Sequence, residues 1–154
     1  MTNVILPFLA SVLIWLMFGG VAVLWIIDGR IKKEVALHAF LASLIAWGII
    51  ELLKSLFPVA RPYVVNGGDS FVIWSPTDGS FPSGHAGAAF ALAVTIWLHN
   101  KKLGALFLIA ALIVSISRVI ANVHYSLDFV GGAVVGSLVA LGVEKLHVFK
   151  LLRR

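Results

Sequence analysis

With 154 residues, 60% of them apolar and 12% charged, and a mean hydropathy of +1.03, the chain lies outside the range of water-soluble domains and reads as one membrane-embedded unit, residues 1–154. A net charge of +5 in a soluble chain would point to nucleic acid, but here the basic residues fall in short clusters between apolar runs, so they report topology and no nucleic-acid partner is expected. The lack of cysteine excludes disulfides, thiolate metal sites and a cysteine nucleophile, which leaves the histidines for chemistry.

Val4 to Ile27 is an unbroken apolar run, long enough at about 1.5 Å per residue to cross a hydrocarbon core of roughly 30 Å. It begins without a basic cluster and ends at Arg30, Lys32 and Lys33, so it is expected to be a retained first span rather than a signal peptide. Val35 to Phe57 is the second span, stopped by Pro58 and the Arg61-Pro62 pair. Residues 58–82 form a loop on the extracytoplasmic side, in which 62–81 mix turn formers with an apolar patch, Phe71 to Trp74, suited to a bilayer interface. The third apolar segment starts at Ser83 or Gly84 and ends at Leu98. As a helix it is only about 24 Å long, which sets its start, with His85, at or below headgroup level. Leu103 to about Val123 is the fourth span and Phe129 to Val143 the fifth, with Gly132 and Gly136 giving the last a small packing face.

The fold expected is therefore all-α, a polytopic bundle of five transmembrane helices. Nine cations (Arg30, Lys32, Lys33, Lys101, Lys102, Lys145, Lys150, Arg153 and Arg154) then lie on one side, and Lys54, Arg61 and Arg118 on the other. The positive-inside rule puts the nine in the cytoplasm, the C-terminus with them, and the N-terminus outside. The remaining three share the extracytoplasmic face of the cytoplasmic membrane with the other candidate functional residues.

One stretch, SRVIANVHYSLD from Ser117 to Asp128, places an arginine, a histidine and a carboxylate at the end of an apolar segment. On a helix, His124 and Asp128 face the same way, so the carboxylate takes the proton of one imidazole nitrogen and leaves the other free, as a nucleophile or a base. Arg118 is near enough to clamp an anion against that nitrogen. Lys54, Arg61 and Arg118 together supply three positive charges for a phosphate, so no metal and no cofactor is required. Ser83 and Gly84 begin a helix whose free N–H groups suit a phosphate oxygen, with a serine hydroxyl as a further donor. Lys54, Arg118 and Asp128 facing lipid at mid-membrane would together cost roughly 8–10 kcal/mol, so a shared polar cavity is the better arrangement.

The pattern K-x6-RP at Lys54 to Pro62, PSGH at Pro82 to His85, and SR-x5-H-x3-D at Ser117 to Asp128 resembles the type 2 phosphatidic acid phosphatase family of membrane lipid phosphatases, whose site is shared by vanadium-dependent haloperoxidases. All three motifs are complete, and the resemblance covers Lys54 to Asp128. It implies hydrolysis of a lipid phosphate or diphosphate in two steps. His124 attacks phosphorus to give a phosphohistidine, Asp128 fixes its tautomer, and His85 protonates the leaving oxygen and then activates water. Two histidines with these roles predict a bell-shaped pH dependence. The candidate substrates are undecaprenyl diphosphate, phosphatidylglycerophosphate, phosphatidate and lipid A 1-phosphate; a compact chain with an outward site favours the first, by analogy. The alternatives are a vanadate-dependent oxidant and a non-enzymatic lipid-binding protein.

Glu51, three residues before Lys54, is expected to orient the lysine as an ion pair. His38, His99 and His147 lack a matching acidic partner or motif and are read as structural.

Overall fold

The structure, a computed structural model, describes residues 4–27 and 30–146. His147, Lys150, Arg153 and Arg154, expected in a cytoplasmic tail, lie outside the described residues, as do the side chains of Arg30 and Lys32. The described residues form helices α1 (Ile5–Ser11), α2 (Leu13–Ile27), α3 (Arg30–Leu56), α4 (Pro62–Asn66), α5 (Gly84–His99), α6 (Lys101–Ile120) and α7 (Ser126–Leu146), with no strand among them.

Stretches Lys33–Leu56, Lys101–Ile120 and Ser126–Leu146 are long and apolar enough to cross a membrane. The first apolar run is not one straight helix: α1 and α2 meet at 52°. The sequence offers no glycine or proline at Val12, and the cause lies elsewhere in the fold. The carbonyl of Ala10, which a continuous helix would give to its own ladder, accepts from Nη1 of Arg118 at 3.1 Å. The 58–82 loop also differs from expectation, since it contains α4, which begins at Pro62 and ends at Gly67 in the left-handed conformation.

Helix α5 is the short segment anticipated from Gly84 onward, and it is the axis of the bundle. Ten of its 16 residues are buried, most of them alanine or glycine. Its Ala88, Ala89 and Leu92 pack in one cluster with Ile14 and Val21 of α2, Ala36 and Ala39 of α3, and Ala111 and Val114 of α6. Ala91 joins Ala42, Ala46 and Ala140 in a second cluster.

The crossing of α5 and α7 is set by glycine. A Cβ at Gly132 would overlap the carbonyl of Ser83, and one at Gly136 the carbonyl of Gly87. Backbone approaches backbone there, which is what the paired small residues allow. Gly136→Ala is expected to destabilise the fold by about 1–3 kcal/mol, as overpacking does in tight cores. Gly142→Ala, on the same helix where a Cβ meets nothing within 4 Å, should not. Thermal unfolding of the two variants in detergent checks the contrast, and equal stabilities would contradict the packing argument.

Candidate active site

Each of the three motifs ends a helix or bridges two, and their side chains meet at one end of the bundle. Lys54 is in the last turn of α3, Arg61 is the N-cap of α4, Ser83 is the N-cap of α5 and Arg118 is in the last turn of α6. Lys54, Arg61, Gly84, His85, Arg118 and His124 line a single cavity of about 620 Å³. Ser83 is buried and is not part of that lining; its Oγ accepts from the Ala86 N–H at 3.4 Å as a helix cap. Asp128 stands behind His124, buried.

His124 does not share a helix with Asp128, the condition under which the sequence put the two on one face. After α6 the chain reverses through Asn122, at φ 62°, a left-handed turn that asparagine tolerates. His124 then occupies the link into α7. The four-residue spacing still works, because Asp128, in the first turn of α7, reaches back to the residues that precede the helix. Its Oδ2 accepts from the Tyr125 N–H at 2.8 Å and lies 3.2 Å from Nδ1 of His124. This is half of a capping box, with an imidazole added.

The tautomer of His124 follows from its neighbours. A guanidinium can only donate, and Nη1 of Arg61 lies 3.3 Å from Nε2 of His124. Nε2 is therefore the acceptor, and the proton is on Nδ1, donated to Asp128. Burial pushes the imidazole down from its ordinary value to about 4; its hydrogen bond to Asp128 opposes this, and the charges of Arg118 and Arg61 add to it. At neutral pH the ring is uncharged, with its Nε2 lone pair directed toward the cationic end of the cavity.

The three cations are nearly withdrawn from solvent, at 9% exposed for Lys54, 3% for Arg61 and 4% for Arg118. Lys54 donates to Glu51 at 3.1 Å, the ion pair expected from their spacing, and to Asp78. Arg61 donates Nη2 to Asp78 Oδ1 at 2.8 Å and to the Gly79 carbonyl at 3.0 Å, Nε to the Asp78 carbonyl at 2.9 Å, and Nη1 to the Val123 carbonyl at 2.8 Å. Nε of Arg118 is buried without a hydrogen-bond partner among the described residues.

Asp78 is the charged residue of the cavity that the motifs did not reveal. It lies in the turn before PSGH, and its carboxylate bridges Lys54 and Arg61, the place an anionic ligand of those cations would take. Burial alone raises its pKa, but the hydrogen bond and charge of Lys54, with those of Arg61, outweigh it, so the group titrates below the ordinary carboxylate range. The available signal was its standing as one of two acids, with Asp69, between Arg61 and the PSGH motif.

This constellation, three clustered cations beside a histidine–carboxylate pair in a membrane helical bundle, defines a phosphate-handling membrane protein. Residues 35–151 match the PAP2 superfamily, and the chain belongs to that family; it is a hydrolase of the lipid-phosphatase class. It is 32% identical over 143 residues to the bacitracin transport permease protein BcrC of Bacillus licheniformis, covering 93% of this chain and 70% of that one. It is 32% identical over 124 residues to the putative undecaprenyl-diphosphatase YbjG of Escherichia coli K12, covering 79% of this chain and 62% of that one. The crystal structure of Aquifex aeolicus LpxE superposes with a TM-score of 0.76 at 24% identity, covering 94% of this chain and 88% of that one.

If Asp78 competes with a bound anion for Lys54 and Arg61, Asp78→Asn lowers the inhibition constant for inorganic phosphate by about 2–5-fold, the range expected for an exposed ion pair. Phosphate inhibition of the purified variant measures this. An increased constant would instead make Asp78 a support that holds the cations in place.

Proposed function

We propose that the protein removes phosphate from a polyprenyl or glycerolipid phosphate or diphosphate at the outer face of the cytoplasmic membrane, with undecaprenyl diphosphate the preferred substrate. The observation that carries this reading is the shape of the cavity. Its polar end holds Lys54, Arg61, Arg118, His85 and His124, and it continues past Trp47 and Leu44 to Phe40, Phe18 and Trp15. Leu44, Trp47 and Trp15 are each more than half exposed, so the apolar part opens sideways between α2 and α3, where a bilayer would supply the lipid. A soluble phosphate ester has no use for that groove. Undecaprenyl diphosphate is favoured by the name of the E. coli relative.

In this reading the chain crosses the membrane five times, with α1 and α2 as one bent crossing and α5 as a short one. The N-terminus is outside and the basic clusters are cytoplasmic. The exposed Phe71 and Trp74 rest on the outer interface. One domain over residues 1–154 contains the whole site.

The substrate's terminal phosphate displaces the Asp78 carboxylate from Lys54 and Arg61 and takes up the spare Nε donor of Arg118. It also competes for Nη1 of Arg61, which releases the Nε2 lone pair of His124. Nε2 attacks phosphorus and the bond to the leaving oxygen breaks, while His85 gives that oxygen a proton; the products are a phosphohistidine and the shortened lipid. Asp128 holds the Nδ1 proton and stabilises the positive ring as charge develops. His85 then takes a proton from water, which attacks phosphorus, breaks the N–P bond and releases phosphate. The negative charge on the transferring group is met by three cations and the N-terminus of α5, so the chemistry needs no metal.

Phosphate release from undecaprenyl diphosphate, phosphatidylglycerophosphate, phosphatidate and lipid A 1-phosphate, measured with purified protein in detergent, tests the reading directly. His124→Ala should lower turnover by at least about 10³-fold, and His85→Ala should accumulate an acid-labile, base-stable phosphoenzyme. An acid-stable serine phosphoester, or release from none of the four lipids, would overturn the proposal.

The pH profile gives an independent check. A nucleophile is lost on protonation, and His124 titrates at about 4, so the acid limb of the kcat/KM profile should lie in that region. An acid limb near the ordinary histidine value would show that His124 is not the group being titrated.

A further inference from the structure

The opposite end of the bundle holds a second polar cluster, built from residues for which the sequence showed no partner. His38 lies in the third turn of α3, His99 ends α5 and Glu144 is near the end of α7. Nε2 of His99 is 3.0 Å from Oε2 of Glu144, and Nδ1 of His38 is 3.3 Å from the same oxygen. The expectation that these histidines lack an acidic partner is therefore corrected for both; the helix ends bring together residues far apart in sequence. His38 is buried, while the His99 and Glu144 side chains are 31% and 23% exposed.

We propose that His38, His99 and Glu144 bind a divalent transition-metal ion of the zinc type, which ties α3, α5 and α7 together at the end remote from the cation cluster. Two imidazoles and one carboxylate are the donor set that zinc takes, and the partly exposed side leaves a fourth position for water. All three donor atoms lie within 4.8 Å of one another. Metal–ligand bonds of about 2.0–2.1 Å in tetrahedral geometry place neighbouring donors about 3.3 Å apart, close to the two separations from Glu144. One metal ion uses both imidazoles and the carboxylate together.

The site is separate from the phosphate chemistry. His38 and Lys54 are 16 residues apart on α3, which is about 24 Å along the helix. Its role is to fix the spacing of three helices whose other ends carry Lys54, the PSGH turn and Asp128. Because ligation requires uncharged imidazoles, the ion should be released on acidification.

The test uses the whole protein, freed of any polyhistidine tag, stripped with chelator and titrated with Co²⁺ and then Zn²⁺. One equivalent of Co²⁺ should produce visible bands of low-coordinate cobalt, Zn²⁺ should abolish them, and Zn²⁺ should raise the thermal midpoint. His99→Ala and Glu144→Gln should lose the bands and weaken Zn²⁺ binding by at least about 100-fold, beyond the usual effect of losing an outer-shell partner, while still releasing phosphate from lipid. If Glu144→Gln fails to fold, His99→Ala, at a partly exposed helix end, carries the comparison. A wild-type protein that takes up no Co²⁺ and whose midpoint ignores Zn²⁺ would overturn the proposal and leave a hydrogen-bonded ion-pair cluster, as would variants that bind the metal like the wild type.

Discussion

The structure at the motif-bearing end depends on one electrostatic constraint. Three cations, Lys54, Arg61 and Arg118, are buried together, and charges withdrawn from water require partners. Glu51 and Asp78 serve Lys54, and Asp78 also serves Arg61. Asp128 is already engaged by His124 and the Tyr125 N–H. Much of the remaining donor capacity goes to main-chain carbonyls, those of Asp78, Gly79 and Val123 for Arg61 and that of Ala10 for Arg118. A regular helix spends its carbonyls on its own ladder. Carbonyls become available only where the helix stops or breaks, so the bend at Val12, the 58–82 loop and the link between α6 and α7 all gather around the cations. Irregular backbone is tolerated in a membrane protein where it is buried in protein or lines a polar cavity, and here it does both.

The packing of α5 turns that constraint into a geometry. Alanine and glycine on its surface let α2, α3, α6 and α7 approach it, and Gly132 and Gly136 bring α7 against its backbone. The close approach is confirmed by a main-chain bond from the Ser83 N–H to the Asp128 carbonyl at 2.9 Å. The N-terminus of α5 is thereby fixed against the start of α7, and the PSGH turn is held beside the histidine–carboxylate pair. A larger side chain at the crossing would move one motif relative to the other, so residues with no chemistry of their own set the distances on which the chemistry relies.

Much of this was legible in the sequence because it depends on short-range spacing. Glu51 three residues before Lys54 and Asp128 four after His124 meet as expected, although the second pair does so through a capping loop instead of a shared helix, while Ser83, expected to face a phosphate, is buried as a helix cap. The bend at Val12 was not legible, because SVLI carries no helix-breaking residue and its cause is an arginine 108 positions away in sequence. Asp78 was hidden for a similar reason: an aspartate in a turn-rich loop has an ordinary local explanation, and only the fold places it on Lys54 and Arg61. His38, His99 and Glu144 show the limit most clearly. They belong to three different helices, and their convergence depends on how α3, α5 and α7 pack.

The cavity bears on how one lipid phosphate would be told from another. At about 620 Å³ it has the size of a site for a drug-sized ligand, which accommodates a headgroup and the first part of a chain. Phe18 and Phe40, stacked at 5.6 Å between centroids, line its apolar end, and beyond them a long chain has the open side between α2 and α3. Most of a polyprenyl or diacyl tail would then remain in the bilayer in both the bound and the free state, contributing little difference in energy between substrates. Selectivity falls to the polar end, where a diphosphate and a monoester differ in charge and in reach. Under the proposed function Asp78 stands where that difference would be read, because an anion binding Lys54 and Arg61 would compete with its carboxylate.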